Sequence, residues 1–105
     1  MRPRKQGATY PITAQLLVNG VPVDLTGSSV TISMRDASSH VVKILDAAVA
    51  VTSPTTGAWS YTPLGTDVDT PATYQVEVHE TRADGSKWRY PSHGYEPLII
   101  EEALA

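Results

Sequence analysis

Apolar and polar residues alternate with a period of two along several short segments of the chain. In "VTISMR", Val30, Ile32 and Met34 fall on one side, and polar residues fall on the other. The same alternation occurs around Ile12 and around Leu98, and Gly, Pro, Asn and Ser separate the segments. Alternation of this kind is typical of half-buried strands joined by turns. It predicts an all-β fold, an antiparallel β-sandwich of about seven to eight short strands.

One segment, "HVVKILDAAVAV" at residues 40–51, is ambiguous between helix and strand. Its alanines and the helical spacing of Val41, Ile44 and Leu45 favour a helix. Its β-branched valines, and the lack of cap residues at either end, favour strands. We therefore predict one bent strand or two short strands that meet near Asp46 and Ala47.

The segment "YQVEVHETRADGSKWRY", residues 74–90, predicts a β-hairpin around its Asp-Gly pair. A two-residue loop would divide the large apolar residues between both faces, which a one-sided core does not allow. A three-residue loop, 83–85, with Gly85 in the left-handed bulge position, avoids this conflict. It places five residues on one core face, namely Tyr74, Val76, Val78, Trp88 and Tyr90.

The charged residues of this hairpin are predicted to be solvated rather than to form a site. Six polar or charged residues are predicted to lie on the face opposite the core: Gln75, Glu77, His79, Thr81, Lys87 and Arg89. Glu80 pairs with Trp88 at the outer end of the hairpin, where its carboxylate is expected to reach water. His79 and Glu80 are adjacent in a strand and point in opposite directions, so they are not expected to share a metal ion.

The charge of the chain is unevenly distributed. The net charge is −3 over 105 residues, but Arg2, Arg4 and Lys5 lie in the first five residues, so the remainder carries −6. We expect a basic N-terminal arm, 1–8, that is disordered when free and docks on an acidic neighbour, followed by a single domain, 9–105. Three cations without interleaved aromatics are poor for nucleic-acid binding, which we do not expect.

Neither membrane insertion nor export is expected. No run approaches the ~18 apolar residues that span a bilayer. The N-terminus lacks the apolar stretch of a signal peptide, so synthesis in the cytoplasm of the producing cell is expected and export by that route is not. There are no cysteines, which excludes disulfides and thiolate metal sites.

Catalytic and metal motifs are not found. His40, His79 and His93 lack the spacing that directs two imidazoles to one metal, and the "DVD" at 67–69 lacks the other ligands of a calcium loop. There is no nucleophile elbow and no phosphate loop. We expect no enzyme, no cofactor and no metal site.

Exposed aromatic residues can form a sugar-binding platform. Most fit a core position better, namely Trp59, Tyr61, Tyr74, Trp88 and Tyr90. Tyr10 and Tyr95 stand beside prolines at strand ends, where exposure is expected. Two such rings leave a glycan- or host-surface-binding module as the alternative function.

The order of the turn and strand motifs resembles a known family. "PVDLTG" precedes the second strand, "TGAWSY" forms a later one, "DVDTPATY" leads into the long strand, and the hairpin ends in "YP" and "GY". In this order and spacing, over residues 9–101, the chain resembles the Ig-like domain of tailed-phage virion structural proteins, such as the N-terminal domain of siphophage upper baseplate proteins. Ala72 departs from the family pattern, which has Gly there.

The resemblance implies a non-catalytic virion protein with an Ig-like fold. Such a module would dock on other virion proteins, either of the tail and baseplate or the major capsid protein, as an adaptor or as a decoration protein. A homo-oligomer on the particle is expected from the repeated sites of a symmetric assembly. The residues expected to contact the partner are Arg2, Arg4, Lys5, Tyr10 and Tyr95.

Overall fold

Eleven strands and two short 3-10 turns make up the computed structural model, which describes residues 1–104. The 3-10 turns are Pro54–Thr56 and Gly65–Asp67. The strands are β1 (Arg4–Lys5), β2 (Ile12–Gln15), β3 (Leu17–Val18), β4 (Val21–Pro22), β5 (Ser29–Asp36), β6 (Val42–Ala48), β7 (Ala50–Ser53), β8 (Ala58–Tyr61), β9 (Ala72–Thr81), β10 (Lys87–Tyr90) and β11 (Glu96–Glu101).

The strands form two main sheets, and this confirms the predicted sandwich. The larger sheet has the order β1–β11–β9–β5–β6, with β10 also paired to β9, and the smaller has the order β2–β8–β7. The small hairpin β3–β4 is separate. These orders correspond to the G-F-C-C′ and B-E-D orders of immunoglobulin-like sandwiches. The strand number exceeds the predicted seven or eight because three strands, β1, β3 and β4, are only two residues long.

The inward-facing residues of both sheets form the core, as the alternating pattern predicted. The three apolar residues of β5 are buried, and so are Leu98 and Ile100 of β11. From the smaller sheet, Trp59 of β8 is 1% exposed and packs into the same cluster with Ile12. Burial of alternate residues is what fixes the register, since a one-residue shift would turn the core set to solvent.

Residues 40–51 form strands, not a helix. β6 and β7 are separated at Val49, and β6 carries a bulge near the predicted bend. There Ile32 pairs with Ala47 while Met34 pairs with Ile44, and Asp46 adopts a φ of 48°. The bulge accounts for the expectation of a bent segment near Asp46, because an extra residue kinks the strand.

The hairpin loop is the predicted three-residue loop. Val78 pairs with Tyr90 and Glu80 with Trp88. The Gly85 N–H donates to the Arg82 carbonyl, and Gly85 has a φ of +87°. The register therefore follows from the sequence, since only this loop gathers the apolar residues on one face.

Two expectations about the outer end of the hairpin were wrong. Glu80 does not reach water but is 0% exposed, and Trp88 is not a core residue but is 46% exposed. The segment that enters β5 covers Glu80, since Ser28 contacts its carboxylate. Trp88 lies at the free edge of β10, where no strand covers it among the described residues.

The expectation of a disordered arm was also wrong. Arg4 and Lys5 form β1, which pairs in parallel with Ile100 and Glu101 of β11. The Arg4 guanidinium is buried and donates to the carbonyls of Ala8 (3.0 Å) and Tyr10 (2.8 Å). A buried cation that satisfies backbone carbonyls holds this segment in place, so the first residues belong to the sheet.

Candidate docking surface

A buried polar cluster lies beneath the outer end of the hairpin. The Glu80 carboxylate accepts hydrogen bonds from the Tyr90 hydroxyl (2.7 Å) and the Ser28 hydroxyl (2.6 Å), and the Arg82 Nε lies 3.3 Å from it. The Arg82 guanidinium also stacks on the Trp88 ring, 4.3 Å from its centroid. With each oxygen paired, the carboxylate ties three segments together, which indicates a structural rather than a catalytic role.

A strip of apolar side chains is exposed next to this cluster. The apolar strip consists of Leu17 and Val18 of β3, Val21 of β4 and Trp88 of β10. The exposed fractions of these side chains lie between 46% and 64%. Val18 pairs with Val21 across the small hairpin, and both line one cavity together with Trp88, while Leu17 lines the neighbouring groove with Val18 and Trp88, so the four residues surround two cavities that share Val18 and Trp88. Contiguous exposed apolar residues mark interaction sites more often than scattered ones do.

A groove of about 590 Å³ separates β2 and β3 from β10. Its lining includes the consecutive run 13–19 on one side and the consecutive run 88–92 on the other. Because neighbouring side chains of a strand point in opposite directions, consecutive lining residues mean that the strand edges themselves face the groove. Val76 and Val78 of β9 also contribute to its lining.

Trp59 lines the groove and carries an unpaired polar atom. Its indole Nε1 is buried, and it has no hydrogen-bond acceptor among residues 1–104. Buried indole N–H groups usually have a partner. The lining of the groove therefore includes a buried donor that the described residues leave unpaired.

The three predicted docking cations lie in three different environments. Arg4 is buried in the fold, and its burial lowers the pKa of the guanidinium. Lys5 is exposed and pairs with Glu101 at 3.3 Å. Arg2 is exposed and lines the groove. Of the three, only Arg2 lies next to the groove and the apolar strip.

The two predicted docking tyrosines are exposed but lie apart. Tyr10 is 54% exposed and Tyr95 43% exposed, and each ring is stacked by an arginine, Arg4 and Arg35 respectively. Tyr95 also accepts a hydrogen bond from Arg35 at 3.1 Å. The two tyrosines line separate cavities, and neither lines the groove. They do not form a joint platform with the residues at the groove.

The remaining polar candidates of the sequence lie in the fold as follows. Asp67, the first acid of "DVD", is buried and accepts hydrogen bonds from the Tyr61 hydroxyl (2.9 Å) and the Leu64 N–H (2.8 Å). His79 contacts Glu77 and Asp46 on the outer face of the larger sheet. Within residues 1–104, no group of three His, Asp or Glu side chains is arranged to hold a metal ion. No helix in that range is long and apolar enough to cross a membrane.

One buried tyrosine, Tyr90, and one partly buried tyrosine, Tyr61, make stability sensitive to alkaline pH. Burial and the contact with Glu80 raise the pKa of Tyr90 to about 12, and burial and the contact with Asp67 raise the pKa of Tyr61 to about 12. An unfolded tyrosine ionises near pH ~10. Because the folded pKa is the higher one, the stabilisation is fully present below pH ~10 and is lost as the pH rises to ~12.

We therefore expect the free energy of unfolding to fall between pH ~10 and ~12, by on the order of 2 kcal/mol per tyrosine. Denaturant melts at several pH values measure this decline. In the double variant Tyr61→Phe/Tyr90→Phe the decline should be shallower. An equally steep decline in that variant would assign the effect to other groups.

The sequence did not predict the apolar strip or the groove. The pattern of "QLLVNGVPV" predicts that the half-buried strand around Ile12 continues to Val18 and is followed by a turn. The signal that could have shown otherwise is the pair Leu16-Leu17, where the alternation breaks. Leu16 is buried, but Val18, which the alternation places on the same face, is 48% exposed, so the chain leaves the sheet between Leu16 and Val18.

Comparison with known proteins adds no relative. No family model matches the chain, and no curated protein matches it significantly. Its function is therefore inferred from the geometry of its surface together with the motif resemblance given above. What the structure establishes by itself is an all-β sandwich with an exposed apolar strip beside an open groove.

Proposed function

We propose that the protein is a non-catalytic assembly module of a tailed-phage particle, which docks on neighbouring virion proteins. The observation that carries this proposal is the apolar strip, Leu17, Val18, Val21 and Trp88, next to the groove. Half-exposed aliphatic side chains around one tryptophan resemble the centre of a protein–protein interface. The order of the sequence motifs supports the virion context.

The buried ionisable groups support a binding rather than a catalytic role. Arg4, Asp67 and Glu80 each make hydrogen bonds within the fold that tie loops or strands together. Groups used in this way serve the architecture. An acid–base catalyst would instead be placed within reach of a bound substrate.

Repetition on a symmetric particle would allow modest affinity at each site. Several copies that dock at equivalent positions raise the effective concentration of one another's contacts. The protein would act as a tail or baseplate adaptor, or as a decoration protein of the capsid. We infer that the same apolar strip would serve in either location.

Mass spectrometry of separated heads and tails tests the proposal directly. The chain should be found in one of the two fractions of the phage that encodes it. Detection in tails supports the adaptor role, and detection in heads supports the decoration role. Absence from both fractions would contradict a virion role and would move the glycan-binding alternative to the front.

A surface substitution tests whether the apolar strip is the docking surface. We expect Val21→Asp to reduce incorporation into particles at least tenfold, because a charge would be buried without a partner at the interface. Incorporation is measured by quantifying the chain relative to the major capsid protein.

Leu45→Asp is the matched control. Leu45 lies on β6, the edge strand of the larger sheet that is farthest from β1, and is 72% exposed. Both substitutions replace an exposed aliphatic residue on a strand, so their cost to folding should be similar and small. Equal loss of incorporation in both variants would show that the strip is not the docking surface.

A further inference from the structure

The smaller sheet ends at a strand edge that has no partner. β2 pairs with β8 only, through the register Ile12–Tyr61 to Gln15–Ala58. In immunoglobulin-like sandwiches the A strand occupies the position beside this strand. Here the N-terminal segment crosses instead to the larger sheet, where β1 pairs with β11. No other strand of the described chain takes the place beside β2.

The edge that faces this position is open as well. β10 pairs with β9, and β1 reaches only Ile100 and Glu101 at the far end of β11. The groove therefore lies between two unpaired strand edges, that of β2 and that of β10, and β3 continues the border although it pairs with β4. Seven consecutive residues, 13–19, border it, a length of ~20 Å for an extended chain.

The charged groups of the groove favour an acidic occupant. Arg2 and Arg89 lie at its rim, and the N-terminal ammonium of Met1 is paired with the lining Glu96. Arg89 also lies 3.7 Å from Glu77, which belongs to the outer face. Apart from the paired Glu96, the charged lining residues are basic. An extended segment with carboxylates would be attracted to them.

We propose that the groove accepts an extended, acidic segment of a partner protein, which adds a strand to the edge of β2. Backbone hydrogen bonds to β2 would supply affinity, and alternate apolar side chains would contact the exposed lining residues Leu17, Val18 and Trp88. A backbone carbonyl of the segment would accept from the Trp59 N–H. The proposal rests on the proposed function only for the identity of the partner as a neighbouring virion protein.

Two peptides of opposite charge test the groove. Both have about seven residues, the ~20 Å that the edge spans, with Val at alternate positions. The other positions are Glu in one peptide and Lys in the other. Amide hydrogen exchange, followed by NMR with the full chain, reports protection at residues 13–18, at residues 88–90 and at Ser92. Tryptophan fluorescence reports contact with Trp59 and Trp88.

We expect the Glu peptide to slow exchange at residues 13–18 and to bind at least tenfold more tightly than the Lys peptide. The double variant Arg2→Glu/Arg89→Glu should reverse this preference. Lys87→Glu is the matched control, because Lys87 lies on the same strand as Arg89 but does not line the groove. The control variant should still bind the Glu peptide more tightly than the Lys peptide.

Three results would overturn the proposal. One is the absence of protection at peptide concentrations of about 1 mM, the weak limit of useful binding. Another is equal binding of both peptides. The third is protection of residues 13–18 by self-association without peptide, which would make a second copy the occupant.

This test is separate from that of the proposed function, because it uses no particles. If the chain binds the peptide but is absent from heads and tails, the groove is a binding site and the virion role is wrong. If the chain is incorporated into particles but does not bind the peptide, the virion role stands and the proposed binding site in the groove is wrong.

Discussion

Gly57→Ala is expected to destabilise the fold by about 3–5 kcal/mol, among the largest effects of any single substitution. Gly57 follows the first 3-10 turn with a φ of +72°, and a Cβ there would lie 2.8 Å from the carbonyl oxygens of Leu16 and Val23. These are backbone atoms of the β2–β3 connection and of the segment after β4. Unlike a flexible side chain, they cannot rotate away.

The close approach at Gly57 is used for hydrogen bonding. The Leu16 N–H donates to the Gly57 carbonyl at 2.9 Å, and the Val23 N–H donates to the Leu16 carbonyl, also at 2.9 Å. A Cβ at position 57 would push these segments apart and weaken both bonds. Thermal and denaturant unfolding of the variant measures the loss, which amounts to a large part of the stability of a small domain.

Gly20→Ala is the control for backbone strain alone. Gly20 has a similar φ of +78°, but a Cβ there meets nothing within 4 Å. Its substitution should cost only about 1 kcal/mol, the penalty of a left-handed conformation for alanine. If both variants lose the same stability, the contact with the two carbonyls is not the cause.

Glu80→Ala is expected to cost about 3–5 kcal/mol, because it removes one partner of a buried polar cluster. The hydroxyls of Tyr90 and Ser28 would lose their acceptor inside the protein, and a cavity would remain. Glu80→Gln keeps the volume and one acceptor oxygen, so its cost should be smaller, about 1–2 kcal/mol.

Glu77→Ala is the matched control for the loss of a carboxylate from β9. Glu77 lies on the outer face of β9. Its side chain is 26% exposed and lies near His79 and Arg89. Such solvent-accessible pairs contribute about 1 kcal/mol or less. Denaturant melts of the three variants at neutral pH should therefore give Glu80→Ala a much lower free energy of unfolding than Glu80→Gln and Glu77→Ala. Equal losses for Glu80→Ala and Glu77→Ala would contradict a structural role for the buried cluster.

The hairpin shows how much of the fold the sequence predicts. Its register follows from one requirement, that Val78 and Tyr90 share a face, and the structure has that register. The fate of its outer end depends on segments far away in the sequence. Ser28 reaches Glu80 across 52 positions, and local alternation contains no information about such a contact. The same face therefore holds a buried carboxylate beside a half-exposed tryptophan.

The N-terminal arm shows a part of the fold that the sequence pattern predicts wrongly. Charge segregation predicted a flexible docking segment, but one of its cations, Arg4, is buried and holds the turn into β2 through two carbonyls. A count of charges cannot distinguish a cation that binds a partner from one that binds its own backbone. Only the position of the carbonyls of Ala8 and Tyr10 decides between them.

What the sequence alone determined is the all-β sandwich, the strand faces and the hairpin loop, because each depends on a period of two and on local turn chemistry. The tertiary structure decided which strand edges lie free. The first residues pair with β11 rather than with β2, and this leaves the groove and the apolar strip open. The choice between two sheets depends on contacts about a hundred residues apart, such as that of Lys5 with Glu101, which no local pattern encodes.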